Sequence, residues 1–198
     1  MERPIIPKGP IQFSKPEGRA IMLTIAPTRD RNERALLIFD MMQSNVYGEN
    51  AVHGAQDCVR FIEGELRYFR ERGRNVISLV TSAPGVLPSP IVESLSPRSH
   101  EHLVYKQAPD AFLNTGLHDL LRAMKVTRLT MTGVGAASSI LMTAATAINV
   151  GYEVVVPEPC IADDNTANRD AALHFIRNVW APRPMNTPVV PMVNVAAS

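Results

Sequence analysis

Residues 129–148 read LTMTGVGAASSILMTAATAI. An apolar run stops at Gly133, a bend of small residues carrying Ser138 and Ser139 follows, and a helical pattern then rises. The layout is a strand over 128–134, a tight turn, and a helix over 137–150 that Gly151 ends. Backbone N–H groups at such a helix start form an anion or oxyanion site. Small residues there also let a helix approach a sheet closely, so Ser139 has two readings at this stage.

The same alternation extends outward. ALLIFDMM at 35–42 is an apolar run interrupted by Asp40, as expected of a central strand covered on both faces. Val52, Ala55, Val59, Ile62, Leu66 and Phe69 fall at helical spacing, and Gly73 stands in the C′ place. NVISLVTS at 75–82 is a second strand, and residues 83–101 form a loop broken by prolines. HLVYK at 102–106 is a third strand ending on a lysine, and TGLHDLLRAMKV at 115–126 a helix. YEVVVPEP at 152–159 predicts the fifth strand. Residues 165–180 predict a last helix, with Asn165 or Thr166 as N-cap. Strands alternating with helices imply a three-layer α/β/α sandwich around a mainly parallel sheet. In such sheets functional residues gather at the carboxyl ends of the strands. Asp40, Lys106 and Ser139 stand at or just past three such ends.

The 198-residue length suggests one domain at 34–181, with an extended arm at 1–33 and a proline-rich tail at 182–198. The arm carries one short apolar element, AIMLTIA at 20–26. Proline content and the apolar VVPMV of the tail suggest that the arms lie on a neighbouring subunit. Composition is that of a soluble globular protein, with 45% hydrophobic residues, 20% charged and a formal net charge of +1. This balance gives no electrostatic reason to expect nucleic acid or an anionic membrane as partner. No run reaches the ~18 apolar residues of a membrane span, and the opening residues lack the apolar core of a signal peptide. Cys58 and Cys160 make neither a disulfide framework nor a zinc pattern and read as reduced thiols, so a cytoplasmic location is expected.

Asp40 closes a buried strand, where a carboxylate is poorly solvated and calls for a cation or hydrogen-bond donors; capping is its bland alternative. Lys106 beside it would meet that need, while alone it reads as an exposed strand-end lysine. His100 and His102 make a lone His-x-His without a carboxylate at ligand spacing, so no metal is expected. Cys160 reads as a buried, inert thiol.

ALLIFDMMQ at 35–43, VYKQAPDAF at 104–112 and TMTGVGAASSILMTAATAINVGYEVVVPEPC at 130–160 resemble, in order and spacing, the isochorismatase-like (cysteine hydrolase) superfamily. The resemblance covers about residues 34–180. It implies a six-stranded, mainly parallel sheet in an α/β/α sandwich, no cofactor, a small-molecule substrate, and a homodimer or larger homo-oligomer. It also implies a catalytic Asp, Lys and Cys, which fall on Asp40, Lys106 and Ser139, so a serine stands where the family has its thiol. Ala136 and Ala137 replace the segment's Thr and Asp. Residues expected to bind substrate are Gln43 (one place later than the family's glutamine, since Met42 holds that position), Thr81, Phe112, Val134 and Gly135. The resemblance further places a cis peptide at Val134–Gly135, aiming the Gly135 and Ser139 N–H groups into the pocket. The nicotinamidase-type metal site is not expected, because residues 82–99 contain no histidine.

A serine hydroxyl is a much weaker nucleophile near neutral pH than a partly ionised thiol, and needs a positioned base. The resemblance therefore favours hydrolysis of a vinyl ether of isochorismate type, with Asp40 protonating the enol-ether carbon and no thiol needed. A serine-dependent amidase on the same scaffold, and a catalytically silent binding or assembly protein, stand as the two alternatives.

Overall fold

The computed structural model describes residues 33–179. The expected element at 20–26, the arm up to residue 32 and the whole tail lie outside the described residues. The elements run β1 (Arg34–Phe39), α1 (Gln43–Tyr47), α2 (Ala55–Glu71), β2 (Asn75–Thr81), β3 (His102–Lys106), α3 (Leu117–Ala123), β4 (Arg128–Val134), α4 (Leu141–Asn149), β5 (Glu153–Val155), β6 (Ile161–Ala162) and α5 (Thr166–His174). The sheet has six strands in the order β3-β2-β1-β4-β5, and β6 pairs with the far end of β4. All of these strand pairs are parallel.

Side chains alternate across the pleat, so β1 feeds two cores. Ala35, Leu37 and Phe39 join Leu117, Leu121, Ala144 and Leu173 of α3, α4 and α5. Leu36 and Ile38 face Val59, Ile62, Leu66 and Phe69 of α2 on the other side. Both faces of the strand are thereby dry, which explains its unbroken apolar run. Among the described residues no helix is long and apolar enough to cross a membrane.

Several boundaries differ from the expected ones, each for a local reason. β1 stops at Phe39 because Asp40 takes a positive φ of 52° and turns the chain out of the sheet. The fifth strand is interrupted. Pro157 and Pro159 cannot donate to a ladder, so β5 ends at Val155, a 3-10 turn spans Glu158–Cys160, and β6 resumes beside Gly133 and Val134. The helix expected at 137–150 opens with a π turn, Ala136–Ile140, before α4. Similarly, α5 continues into a π turn at Phe175–Val179. Asn165 caps α5, its side chain accepting from Asn168 N–H. The Val134–Gly135 peptide is trans, since the described residues contain no cis peptide bond.

Gly73 closes α2 as expected: Arg74 N–H reaches Phe69 C=O and Gly73 N–H reaches Arg70 C=O, a Schellman closure. The same pattern closes α3 around Lys125, where Val126 N–H bonds Leu121 C=O and Lys125 N–H bonds Arg122 C=O. Lys125 thus holds a φ of 55°, a place glycine usually fills.

The tightest approach in the sheet is at Gly133, paired with Phe39. Its φ is 119°, and a Cβ there would lie 2.1 Å from the Phe39 carbonyl oxygen. The strand pair can lie this close only without a side chain. Gly133→Ala is therefore expected to cost about 3 kcal/mol or more, from overpacking and backbone strain together. Lys125→Gly is expected to gain about 0.5–1 kcal/mol by relieving a left-handed residue. Denaturant unfolding of the two variants against the parent checks both signs.

Candidate active site

The sheet order reverses between β1 and β4: the chain proceeds outward through β2 and β3 on one side, then through β4 and β5 on the other. A crevice opens at the carboxyl ends of the strands where such a reversal occurs. Asp40 follows β1, Thr81 ends β2, Lys106 ends β3 and Ser139 follows β4, so four strand ends deliver four polar groups to one place.

Lys106 is the hub. Its side chain is wholly buried, and its ammonium donates to Thr81 Oγ1 at 2.5 Å, to Ser139 Oγ at 2.9 Å, and pairs with Asp40 Oδ2 at 3.0 Å. An ammonium carries three donors, and here three acceptors meet them. Ser139 Oγ is also 3.4 Å from Asp40 Oδ2, as donor to the carboxylate. Thr81 contributes twice, since its N–H donates to Asp40 Oδ1 at 2.6 Å. The Asp40 backbone is pinned as well: its N–H bonds Leu79 C=O, and its C=O accepts from Met42 N–H and from the Asn45 side-chain amide. These bonds hold a non-glycine residue at positive φ, a conformation that persists only where the surroundings determine it.

Ser139 is aimed by the π turn. Gly135, with φ 78°, precedes it, and Ile140 N–H reaches back five residues to Gly135 C=O. Asp163, just past β6, anchors the turn from outside. One of its oxygens accepts Ala137 N–H at 2.8 Å, and the other accepts Asp164 N–H at 2.9 Å and the Asn168 side-chain amide at 3.2 Å.

A cleft of about 350 Å³ opens over this network, lined by Asp40, Met42, Asn45, Val52, Thr81, Val134, Gly135, Ser138, Ser139, Asp163 and Asp164. Of the residues expected to contact substrate, Thr81, Val134 and Gly135 line it. Gln43 and Phe112 do not. Gln43 is exposed on α1. Phe112 packs against the core cluster of α3 and α4, its ring 6.0 Å from Tyr152 and 6.1 Å from His118. Met42, Asn45, Val52, Ser138, Asp163 and Asp164 line the cleft without having been expected to. The two aspartates directly precede the Asn165 cap, and nothing local ties Asp163 to a turn 26 residues earlier.

The two thiols stand apart from this chemistry. Burial pushes Cys160 up to about 12 and Cys58 up to about 11, and neither lines the cleft. His102 begins β3 while Lys106 ends it, so the His-x-His pair sits at the opposite end of the sheet.

Comparison with known proteins places this geometry. A family model for the isochorismatase domain matches residues 34–183. The chain belongs to the isochorismatase family. Two streptothricin hydrolases of Streptomyces noursei are similar to it. One is 34% identical over 131 residues, covering 63% of this chain and 48% of the relative; the other is 31% identical over 158 residues, covering 76% and 62%. The chain thus spans roughly half to three fifths of the length of these relatives. Among solved structures, an isochorismatase family protein from Desulfovibrio vulgaris is 26% identical with a TM-score of 0.69, covering 74% of this chain and 90% of that one. N-carbamoylsarcosine amidase from Thermoplasma acidophilum, 24% identical with a TM-score of 0.67 and coverages of 75% and 92%, shares the fold.

Asp163 carries a testable consequence. Asp163→Ala leaves the part-buried Ala137 N–H without its acceptor and frees the turn bearing Ser139. A stability loss of about 1–3 kcal/mol is expected from the unpaired donor. Asp163→Asn keeps an acceptor oxygen and should recover more than half of that loss, read by thermal unfolding of the two variants side by side.

Proposed function

We propose that this isochorismatase-family hydrolase cleaves a small-molecule amide or ester, with Ser139 as nucleophile, Asp40 as its base and Lys106 as the balancing cation. The observation that carries this reading is the position of the Ser139 hydroxyl, within hydrogen-bond distance of both Asp40 Oδ2 and Lys106 Nζ.

The roles follow from donors and acceptors. Both Asp40 oxygens accept: Oδ1 from Thr81 N–H, and Oδ2 from Lys106 and Ser139. A carboxylate arranged in this way is set to take the serine proton. Loss of that proton raises the nucleophilicity of Oγ, and the developing negative charge is offset by the ammonium already 2.9 Å away. Attack by Oγ on the substrate carbonyl forms a tetrahedral adduct. Asp40 returns its proton to the departing nitrogen or oxygen, leaving an ester on Ser139. Water, deprotonated by Asp40, then attacks that ester and releases the acid, and the serine regains its proton. The network is buried, which strengthens each of these charge interactions relative to water.

Vinyl-ether hydrolysis is the second reading. It is favoured by the exposure of Asp40 to the cleft, where the carboxyl group could deliver a proton to an enol-ether carbon. That reaction requires Asp40 to serve as donor where its oxygens now act as acceptors, so the acyl reading takes first place.

The variants separate the two. On the acyl reading, Ser139→Ala is expected to lower kcat/KM on the best substrate of an amide and ester panel by about 10³-fold or more. Mass spectrometry of the wild type should then trap an acyl group on the Ser139 peptide, and Ser139→Cys should retain turnover. On the vinyl-ether reading, Ser139→Ala stays within about tenfold, while Asp40→Asn loses the ~10²–10⁴-fold contributed by a general acid. No acyl adduct together with a mild Ser139→Ala effect would reverse the order.

A further inference from the structure

We infer that Thr81 is a further catalytic residue: its hydroxyl donates a hydrogen bond to the oxyanion that forms when Ser139 attacks a carbonyl, with the Lys106 ammonium bonded behind it. This rests on the acyl-hydrolase reading for the oxyanion, and on the hydrogen bonds of the Thr81 side chain for the donor.

A hydroxyl carries one donor and two acceptor positions. Thr81 Oγ1 accepts from the Lys106 ammonium at 2.5 Å, and its own proton meets no acceptor among the described residues. Thr81 ends β2 exposed at the cleft, so that proton is free to turn toward a bound molecule. The neighbouring side-chain donors are turned to the protein instead. The Asn45 amide reaches Asp40 C=O, the Ser138 hydroxyl reaches Gly135 C=O, and the Ser139 hydroxyl reaches Asp40 Oδ2. Three backbone donors of the π turn are committed as well, Ala137 N–H to Asp163, and Ser138 and Ile140 N–H to Gly135 C=O. A hydroxyl that already accepts from an ammonium is polarised by it, which strengthens the hydrogen bond it gives.

The reach is sufficient. Lys106 Nζ bonds Thr81 Oγ1 at 2.5 Å and Ser139 Oγ at 2.9 Å. Acceptors around one ammonium stand near the tetrahedral angle, which puts the two hydroxyl oxygens about 4.4 Å apart. When Ser139 Oγ bonds to a carbonyl carbon, the π pair moves to the carbonyl oxygen, which then lies about 2.3 Å from Oγ. An O–H···O⁻ hydrogen bond adds about 2.6 Å. The two lengths together exceed the gap, so a bent path joins Ser139, the oxyanion and Thr81. Thr81 gives a hydrogen bond and keeps its proton, while the leaving group takes its proton from Asp40. The Thr81 N–H meanwhile holds Asp40 Oδ1 at 2.6 Å, so one residue fixes the base through its backbone and meets the developing charge through its side chain.

The test compares 4-nitrophenyl acetate with its thiono analogue, in which sulfur replaces the carbonyl oxygen, on the full chain with Ser139→Ala as the blank. Sulfur accepts hydrogen bonds weakly, so a donor aimed at the oxyanion favours the oxygen ester. In the parent, the Ser139-dependent oxygen-to-sulfur rate ratio is expected to exceed that of the hydroxide reaction by about tenfold or more. Thr81→Val, close to threonine in shape but without the hydroxyl, should lower kcat/KM for the oxygen ester by about 10²-fold and the ratio by about tenfold, and Thr81→Ser should bring both back to within about threefold of the parent. The ratio does not depend on the folded fraction, and a residue that merely braced Lys106 would slow both esters alike. An unchanged ratio in Thr81→Val, a parent ratio no larger than that of hydroxide, or a Thr81→Ser ratio as low as that of valine overturns the inference. The parent and Thr81→Ser measurements decide it even where Thr81→Val does not fold. Ser139-dependent release with an unchanged ratio in Thr81→Val removes the Thr81 donor and keeps the acyl reading, whereas no Ser139-dependent release removes the acyl reading and the oxyanion with it.

Discussion

The structure depends on one constraint, the burial of the Lys106 ammonium. A charge taken wholly out of water survives only if its donors are met, and removing one partner of such a pair costs typically ~3–5 kcal/mol. Lys106 meets this by drawing in three acceptors from three other strand ends: Asp40, Thr81 and Ser139. The network that neutralises the lysine is the same network that presents a hydroxyl and a carboxylate to the cleft. Stability and chemistry therefore act on the same atoms at this point of the fold.

Backbone geometry makes the convergence possible. β1 and β4 lie side by side at the reversal of the sheet, and their ends approach so closely that Gly133 can carry no side chain against Phe39. Asp40 leaves the sheet at once through a left-handed turn, and the chain after Gly135 enters a π turn that points Ser139 back toward the lysine. Single π turns within helices occur frequently at functional sites, because the extra residue per turn re-aims a side chain that an α-helix would place elsewhere.

A hydroxyl rather than a thiol stands beside Lys106 and Asp40, and this changes what the site must supply. A thiol needs only partial ionisation to react, whereas a hydroxyl needs a base within reach. Asp40 Oδ2 and Lys106 Nζ, paired with each other at 3.0 Å, both lie within hydrogen-bond distance of the hydroxyl. The two thiols that the chain does carry are buried away from the cleft, where desolvation disfavours the thiolate. The aspartates that follow β6 give the cleft a negative character that composition conceals, since the chain as a whole is nearly neutral.

The strand and helix alternation, the layer order and the strand-end positions of Asp40, Lys106 and Ser139 were legible in the amino-acid order, because period and burial are local properties. Runs such as LLIF and LTM declare a strand dry on both faces without reference to anything distant. Thr81, Val134 and Gly135 were expected to contact substrate, and the structure brings them to the cleft. Gln43 and Phe112 were expected there as well, yet they lie elsewhere, one exposed on a short helix and the other stacked on Tyr152. The split of the last strand was encoded in Pro157 and Pro159, whose missing donors interrupt a ladder. What only the tertiary structure decided was partnership across distance. Asp163 reaches Ala137 26 residues away, and Ser139 reaches Asp40 99 residues away. Such pairings depend on sheet order and on the register of β6 against β4, which arise from the packing of all the layers together and leave no periodic trace in the chain.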